Sequence, residues 1–124
     1  RGYSDRVQVI SGDMCQVDLP SGFDVILLSN VLHDWDDPVA EKLFQKAANA
    51  LPSGGLMLLH DAFLNSEKTG PLPVAQYSAL LMHSTEGRCF SVLEMRQWGE
   101  RCGMEWAGHY PTAVDRSCVA LRKA

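Results

Sequence analysis

The sequence predicts an α/β fold whose strands run in mixed directions. Two apolar runs, Phe23–Ser29 and Leu56–Leu59, are separated by a segment with helical periodicity. Because both joints are short, the two strands are expected to be parallel, with the helix forming a right-handed crossover. The chain has 124 residues, which is the length of one domain.

The first two strands are predicted from their composition. Arg6–Ser11 alternates and is rich in β-branched residues, which favours a strand. Asp18–Gly22 contains Pro and Gly and is expected to turn. Phe23–Ser29 is apolar without alternation, which is typical of a central parallel strand that is covered on both faces.

A helix is predicted directly after the second strand. Asp36 and Asp37 offer an N-cap, and Pro38 suits the first helical turn. Apolar residues then recur at helical spacing: Val39, Ala40, Leu43, Phe44, Ala47, Ala48 and Leu51. The helix is expected to end at Pro52–Gly55, before a third strand that stops at His60–Asp61.

The remainder is expected to contain two helices and a closing hairpin. Ser91 and Glu94 have the spacing of a capping box, with Phe90 and Met95 at the staple positions, and Gly103 closes that helix. A loop is predicted at Asn65–Pro73, followed by a further helix at Val74–Ser84. Two antiparallel strands are predicted at Glu105–Tyr110 and Ser117–Leu121.

Composition disfavours several classes of partner. The formal net charge is −4 and the 11 Lys and Arg residues are scattered, so neither nucleic acid nor an anionic membrane surface is expected to bind. No apolar stretch is long enough to span a bilayer, and the first six residues do not resemble a signal peptide. The four cysteines lack CxxC or zinc-type spacing, so they are expected to be reduced thiols of a cytoplasmic protein.

Polar residues follow three of the predicted strands, as Gly12-Asp13-Met14, His33-Asp34-Trp35 and His60-Asp61. Ligands of open α/β sheets bind beyond the carboxyl ends of the strands, so these positions predict a site. A His beside carboxylates is a candidate acid–base group. Each residue also has a structural interpretation: a helix entry for His33, turns for Asp13 and Asp61, core for Met14, and core or a stacking surface for Trp35.

Motifs for several other chemistries are not found in the sequence. It contains no GxSxG elbow, no Walker loop and no GxGxxG. The candidate metal ligands are His60, Asp61 and His83. Their spacing along the chain is not typical of a metal site, so no metal is expected.

Four stretches carry a resemblance to a known family: SGDM, DLPSGFDVILLSNVLHDWDD, ALPSGGLMLLHDAFL and GPLPVAQYSALLMHSTEGR. The chain resembles the S-adenosylmethionine-dependent O-methyltransferases of the plant caffeate and animal hydroxyindole type, with their bacterial relatives. The resemblance implies a partial Rossmann-like methyltransferase sheet of order 3-2-1-4-5-7-6, of which residues 1–124 supply strands 3 to 7, the carboxyl-terminal part of the catalytic domain. The family's glycine-rich loop and its helical dimerisation domain have no counterpart in these residues.

The resemblance also implies roles for individual residues. His33 matches the base that takes the proton of the acceptor hydroxyl, and Asp61 matches an acidic residue that orients it. Asp13 and Met14 match residues that hold the adenine end of the cofactor. Trp35 matches a tryptophan beside the cofactor and the base.

Two positions depart from the family pattern. Ser29 stands where many members have a cofactor-contacting Lys. Cys89 stands where many have a second carboxylate flanking the His. Glu86 is a possible substitute and is expected to contact the acceptor. Met82 is expected either to line the acceptor pocket or to lie in the core.

The implied function is methyl transfer from S-adenosylmethionine to a hydroxyl of a small aromatic or polyketide-like acceptor. The implied partners are the amino-terminal part of the same enzyme and a second subunit in a homodimer. A non-catalytic scaffold or interaction module is the alternative. A nucleotide-dependent oxidoreductase is disfavoured, because LHDWDD has no role there.

Overall fold

A computed structural model describes residues 2–124. Within that range the chain forms four strands, three α-helices and one 3-10 turn at Leu32–Asp34. In chain order the elements are β1 (Val25–Ser29), α1 (Asp37–Ala50), β2 (Leu56–Asp61), α2 (Leu72–Ser84), α3 (Val92–Arg101), β3 (Met104–Pro111) and β4 (Ser117–Lys123).

The four strands form one mixed sheet of order β1-β2-β4-β3. β1 pairs with β2 in parallel, with Ser29 opposite His60, and this confirms the predicted parallel pair. β4 runs antiparallel to both β2 and β3, so the closing hairpin is also confirmed. This order corresponds to strands 4-5-7-6 of the sheet that the resemblance implies.

The observed boundaries of the elements differ from the predicted ones by about one helical turn or less. β1 begins at Val25 rather than Phe23, and β2 continues through His60 and Asp61 instead of stopping before them. α2 begins at Leu72, two residues before the predicted start. α1 and α3 agree closely with their predicted ranges.

The strand predicted at Arg6–Ser11 is wrong. This segment is irregular and exposed, with Val9 87% and Ile10 59% accessible. A strand is stable only when a neighbour satisfies its backbone N–H and C=O groups. Within residues 2–124, β1 pairs with β2 alone, and no strand lies between β1 and Arg6–Ser11.

The prediction that β1 is covered on both faces is also wrong for the described residues. β1 is an edge strand in which Val25 is 51% and Leu27 59% exposed. Burial in β2 alternates, with Met57 and Leu59 buried and their neighbours half-buried. Alternation of this kind marks a sheet that is covered on one face.

The main core lies between the covered face of the sheet and helices α1 and α3. Trp98 of α3 packs edge-on against Phe44 of α1, with ring centroids 5.8 Å apart, and contacts Phe90 at 5.0 Å. A smaller cluster of buried residues packs α2 against the end of β2. Its members are Ala62, Leu64, Val74, Leu81 and Cys89, with Tyr77 packed against them.

Hydrogen bonds cap the two helices that cover the sheet. Asp36 caps α1, accepting from the backbone N–H of Val39 at 3.2 Å. The capping box of α3 is confirmed: Ser91 Oγ accepts from the Glu94 N–H at 3.2 Å, and the Glu94 carboxylate accepts from the Ser91 N–H at 2.7 Å. Both bonds satisfy donors that the first turn leaves free.

Glu94 also belongs to an ion-pair network that ties α3 to α1. Arg88 donates to Glu94 at 2.8 Å and to Asp37 of α1 at 2.8 Å, while Lys68 donates to Glu94 at 2.9 Å. Burial raises the pKa of Glu94, but the hydrogen bonds from Arg88, Lys68 and the Ser91 backbone outweigh it and lower the pKa to about 2. The ionised carboxylate therefore stabilises the fold.

No helix of residues 2–124 has the length and apolar composition that a membrane span requires. All four cysteines are free thiols: Cys89 is buried, and Cys15, Cys102 and Cys118 are half-buried.

We predict that Glu94→Gln destabilises the complete protein by roughly 1–3 kcal/mol at neutral pH, because the charge-assisted bonds weaken while the amide keeps the capping box. The loss should be full above about pH 4.5 and should vanish as the pH falls through about 2, where Glu94 of the wild type becomes protonated. Denaturant titration at several pH values measures it.

Glu100→Gln is the matched control for this substitution. Glu100 is also on α3, is 59% exposed and pairs with Arg96 at 3.2 Å, so its loss should cost less than about 1 kcal/mol. Equal effects of the two substitutions would show that the network around Arg88 adds no stability of its own.

Candidate active site

The carboxyl end of β1 leads directly into the turn that carries His33. Asn30 follows the strand with φ +53°, a left-handed conformation that Asn tolerates better than most residues. Its N–H donates to the carbonyl of His60 on β2 at 3.0 Å. The chain therefore turns sharply at the sheet edge, and the 3-10 turn holds His33 over the end of β2.

His33 and Asp61 form a buried hydrogen-bonded pair. His33 Nδ1 lies 2.6 Å from Asp61 Oδ1, and the two residues are 4% and 6% exposed. Asp61 Oδ1 also accepts from the N–H of Ala62 at 2.7 Å. Because a carboxylate only accepts, Nδ1 carries the proton, and Nε2 of the neutral ring keeps a free lone pair.

The surroundings of His33 favour its protonated form. The hydrogen bond to Asp61 is the main reason that the pKa of His33 is raised above 6.5; burial opposes it, and the charges of Asp61 and Asp34 reinforce it. Asp34 Oδ1 lies 3.4 Å from Nε2, on the other side of the ring, and its side chain is 49% exposed. Arg116 acts in the opposite direction.

Gly87 closes the site from the segment that follows α2. A Cβ at this position would lie 1.8 Å from the carbonyl oxygen of His33 and 2.7 Å from the backbone nitrogen of Trp35. The Gly87 backbone thus packs directly against the turn that carries the base. This approach is possible only without a side chain.

Cys89, two residues later, is fully buried beside Asp61. Its N–H donates to Ser78 Oγ on α2 at 3.0 Å. Burial raises the pKa of the thiol to about 11, and the charge of Asp61 adds to the effect. Cys89 is therefore a neutral thiol at physiological pH.

Glu86 is not brought to the His33–Asp61 pair. Its exposed side chain lines a cavity with Trp35, and within residues 2–124 no hydrogen bond connects it to His33. The geometry therefore does not support Glu86 as a replacement for the family's second carboxylate beside the catalytic histidine. The carboxylates that act on the base are those of Asp61 and Asp34.

The structure brings two of the three predicted segments together at His33 and Asp61, whereas the segment with Asp13 and Met14 lies beside α1. Asp13 forms a turn, its Oδ1 accepting from the N–H of Cys15 at 2.8 Å, and Met14 is 40% exposed. Lys46 of α1 fixes this turn by donating to the carbonyl of Met14 at 2.7 Å and to that of Val17. Asp13 thus belongs to a turn that Lys46 anchors to α1.

Trp35 is half-buried and lines a cavity of about 230 Å³ between this turn and α1. The other lining residues are Cys15, Gln16, Val39, Lys42, Leu43, Lys46 and Glu86. Whole-ligand pockets usually measure about 300–1,000 Å³. The cavity therefore suits one flat ring system that stacks on an indole.

Ser29 lies at the end of β1, and Met82 lies on α2. The exposed Ser29 hydroxyl is hydrogen-bonded to His60 Nδ1 at 3.0 Å, and His60 Nε2 to Thr112 Oγ1 at 2.9 Å. Met82 is 67% exposed on α2, so the core position considered for it is wrong. Within residues 2–124, no group of three or more His, Cys, Asp or Glu side chains could hold a metal ion.

Two residues that lie near the base are not predicted by the sequence. Tyr77 of α2 contacts the His33 ring edge-on, with centroids 5.7 Å apart, and Arg116 lies 4.7 Å from the centre of the Tyr77 ring. Tyr77 lies in the GPLPVAQYSALLMHSTEGR stretch but has no role assigned there, Arg116 belongs to no motif, and each is more than 35 residues from His33 along the chain. The packing of α2 and of the β3–β4 connection brings them to the site.

Comparison with known proteins identifies the family. The sequence model of the O-methyltransferase domain matches residues 1–105. A 3-hydroxy-5-methyl-1-naphthoate 3-O-methyltransferase of Streptomyces sahachiroi is 35% identical over 97 residues, covering 78% of this chain and 28% of the relative.

Two solved structures share the fold. An O-methyltransferase family 2 protein of Planctomyces limnophilus in complex with apigenin is 42% identical with a TM-score of 0.93, over 99% of this chain and 36% of that one. An O-methyltransferase from neocarzinostatin biosynthesis, in complex with S-adenosylmethionine and 2-hydroxy-5-methyl naphthoic acid, is 28% identical with a TM-score of 0.82, over 99% and 35%. The chain thus spans about a third of the length of these relatives.

We predict that Gly87→Ala destabilises the complete protein by roughly 1–3 kcal/mol or more, because backbone atoms of His33 and Trp35 occupy the place of the methyl group. Gly70→Ala is the control, since a Cβ there meets nothing closer than 3.6 Å. Denaturation midpoints measure both. A Gly87→Ala protein as stable as the control would contradict the close approach.

Proposed function

Because this chain belongs to the O-methyltransferase domain family, we propose that the complete protein methylates a hydroxyl of a small aromatic or polyketide-like acceptor, with His33 as general base. The family uses S-adenosylmethionine. The observation that carries the proposal is the buried pair of His33 Nδ1 and Asp61 Oδ1, 2.6 Å apart. That pair leaves Nε2 as the atom that can accept a proton.

His33 and Asp61 divide the work of proton transfer. When bound, the cofactor supplies a methyl group on a sulfonium sulfur. Nε2 of His33 accepts the proton of the acceptor hydroxyl, so that the oxygen becomes a better nucleophile. Asp61 holds the imidazole in the required tautomer and stabilises the imidazolium that forms, as a carboxylate does for other catalytic histidines.

The acceptor is proposed to reach the base at Nε2. His33 is only 4% exposed, and its Nε2 edge faces the half-exposed carboxylate of Asp34, 3.4 Å away. An acceptor hydroxyl hydrogen-bonded to Nε2 would take the place of that carboxylate. Within residues 2–124, the Asp34 side chain has no other hydrogen bond or ion pair that would hold it there.

Four residues of this chain are proposed to hold the cofactor: Asp13, Met14, Trp35 and Ser29. Trp35 lines a cavity of about 230 Å³, which fits a ring system but not a whole cofactor, so the adenine end is assigned to it. Glu86 lines the same cavity, so it is proposed to lie near the cofactor rather than the acceptor.

Met82 is proposed to contact the acceptor. Its flexible, exposed side chain suits the face of an apolar ring. One compared protein is a hydroxynaphthoate O-methyltransferase, and two others were solved with a hydroxynaphthoic acid and with apigenin, all hydroxylated aromatic compounds. Their likeness to this chain supports the same acceptor class here.

The remaining proposals concern the complete protein. Residues 1–124 form the carboxyl-terminal portion of the catalytic domain, and the amino-terminal part completes the sheet beside β1. A homodimer follows from the resemblance to the family. A cytoplasmic location suits four free thiols, which persist in a reducing compartment.

In the complete enzyme, we predict that His33→Ala lowers kcat for a hydroxylated aromatic acceptor by ~100- to 10,000-fold and leaves cofactor affinity nearly unchanged. Asp61→Asn should lower kcat by a smaller factor than His33→Ala does. It should also move the acidic limb of the pH–rate profile to lower pH, because Asp61 raises the pKa of His33. Turnover assays across pH and calorimetric cofactor binding provide the measurements.

His83→Ala is the control, since His83 is an exposed histidine at the end of α2. Undiminished turnover of His33→Ala would refute the assignment of the base. A complete wild-type protein that neither binds S-adenosylmethionine nor turns over would favour the scaffold alternative.

We also predict that residues 1–124 alone bind S-adenosylmethionine weakly or not at all and do not catalyse methyl transfer. They supply the residues proposed to bind the adenine end of the cofactor, but the family's glycine-rich loop has no counterpart in this sequence. Isothermal titration of the purified 124-residue chain tests this. A micromolar dissociation constant at one-to-one stoichiometry would contradict it.

A further inference from the structure

Two side chains beside the base have no part in the proton transfer described above. Tyr77, from α2, meets the His33 ring at an interplanar angle of 84°, with centroids 5.7 Å apart. The guanidinium of Arg116, from the connection between β3 and β4, lies over the Tyr77 ring at 4.7 Å. Both residues are half-buried. They extend the His33–Asp61 pair into a chain of four contacting groups.

We propose that Tyr77 and Arg116 are positioning residues for His33: Tyr77 fixes the plane of the imidazole, and Arg116 holds the Tyr77 ring and offsets part of the negative charge around the base. This inference rests on the proposed function of His33 as a general base. It assigns Tyr77 and Arg116 no direct contact with cofactor or acceptor.

The Tyr77 ring gives the imidazole a second contact, besides the hydrogen bond from Nδ1 to Asp61. The hydrogen bond directs one atom of the ring but restrains the tilt of the ring less strictly, because hydrogen bonds tolerate a range of angles. A perpendicular contact with an aromatic ring is a favoured arrangement and restricts this tilt. Tyr77 therefore keeps Nε2 directed at the place of the acceptor hydroxyl.

Arg116 in turn holds Tyr77. A guanidinium over an aromatic face is attracted by the negative charge of that face. Arg116 also lies 3.6 Å from the Asp115 carboxylate, which limits its movement. The side chain of Arg116 is 26% exposed, so solvent screens its charge only in part.

The charge of Arg116 acts against the carboxylates that face His33. Asp61 from β2 and Asp34 from the 3-10 turn favour the imidazolium, whereas Arg116 favours the neutral ring. The other groups around the base are the Tyr77 phenol from α2 and the neutral thiol of Cys89 beside Asp61. A general base must be neutral before it can accept a proton. Arg116 thus extends the active pH range of His33 towards lower pH.

The test uses Arg116→Gln and Arg116→Lys in the complete enzyme. Two measurements are made: the His33 pKa by NMR titration of the imidazole, and the acidic limb of the kcat–pH profile. Arg116→Gln should raise both by roughly 0.3–1 pH unit, because a positive charge near the base is removed. Arg116→Lys keeps that charge and should restore both to within about 0.2 unit of the wild type.

Arg96→Gln is the matched control. Arg96 also lies over an aromatic ring, that of Trp106 at 5.8 Å, but sits on α3. It should change neither quantity. If Arg116→Gln leaves the His33 pKa unchanged, or lowers kcat equally at every pH, the proposal is overturned and Arg116 has only a structural role.

Tyr77 is tested by Tyr77→Phe and Tyr77→Leu. Tyr77→Phe keeps the ring and should retain kcat, whereas Tyr77→Leu should lower kcat about tenfold with little change in the KM of the acceptor. Equal kcat values for the two variants would refute the role of the ring. The NMR titration needs no turnover, so it reports on Arg116 even if the proposed reaction is wrong.

Discussion

The parallel pairing of β1 with β2 is the constraint on which the site depends. α1 is a short crossover, so it returns the chain beside β1 in the same direction, and the carboxyl ends of both strands meet at one edge. The register places Ser29 opposite His60, and Asp61 is the next residue. The turn after β1 then sets His33 against Asp61. Reversal of either strand would move one partner to the opposite edge of the sheet.

A buried imidazole and carboxylate are stable here because both are satisfied by hydrogen bonds. An unpaired buried charge costs several kcal/mol, whereas Asp61 accepts from both His33 and the Ala62 N–H. Gly87 completes the enclosure by bringing backbone rather than a side chain against His33. The neighbouring Arg88 anchors that segment to α1 and α3 through Asp37 and Glu94. The ion-pair network that stabilises the helices therefore also supports the wall of the site.

The sheet is covered on one face and open at the edge of β1. Val25 and Leu27 are more than half exposed, and the Arg6–Ser11 segment contributes no strand. Unpaired backbone groups on an edge strand attract further strands. The same edge lies beside the proposed cofactor site, since β1 ends at Ser29 and leads to Trp35. Completion of the sheet and completion of the cofactor site are thus linked on the present proposal.

The sequence by itself determined the elements whose signals are local. The capping box of Ser91 and Glu94, the amphipathic periodicity of α1 and the apolar runs of β1 and β2 each act within a few residues, and the short joints then dictate the parallel pair that unites His33 with Asp61. Arg6–Ser11 has an equally clear strand pattern, but a strand also needs a partner, and alternation alone does not show whether one is present. Tyr77, Arg116 and the close approach of Gly87 depend on how α2 and the β3–β4 connection pack around the end of β2. Such contacts join residues far apart in the chain, so only the tertiary structure decided them.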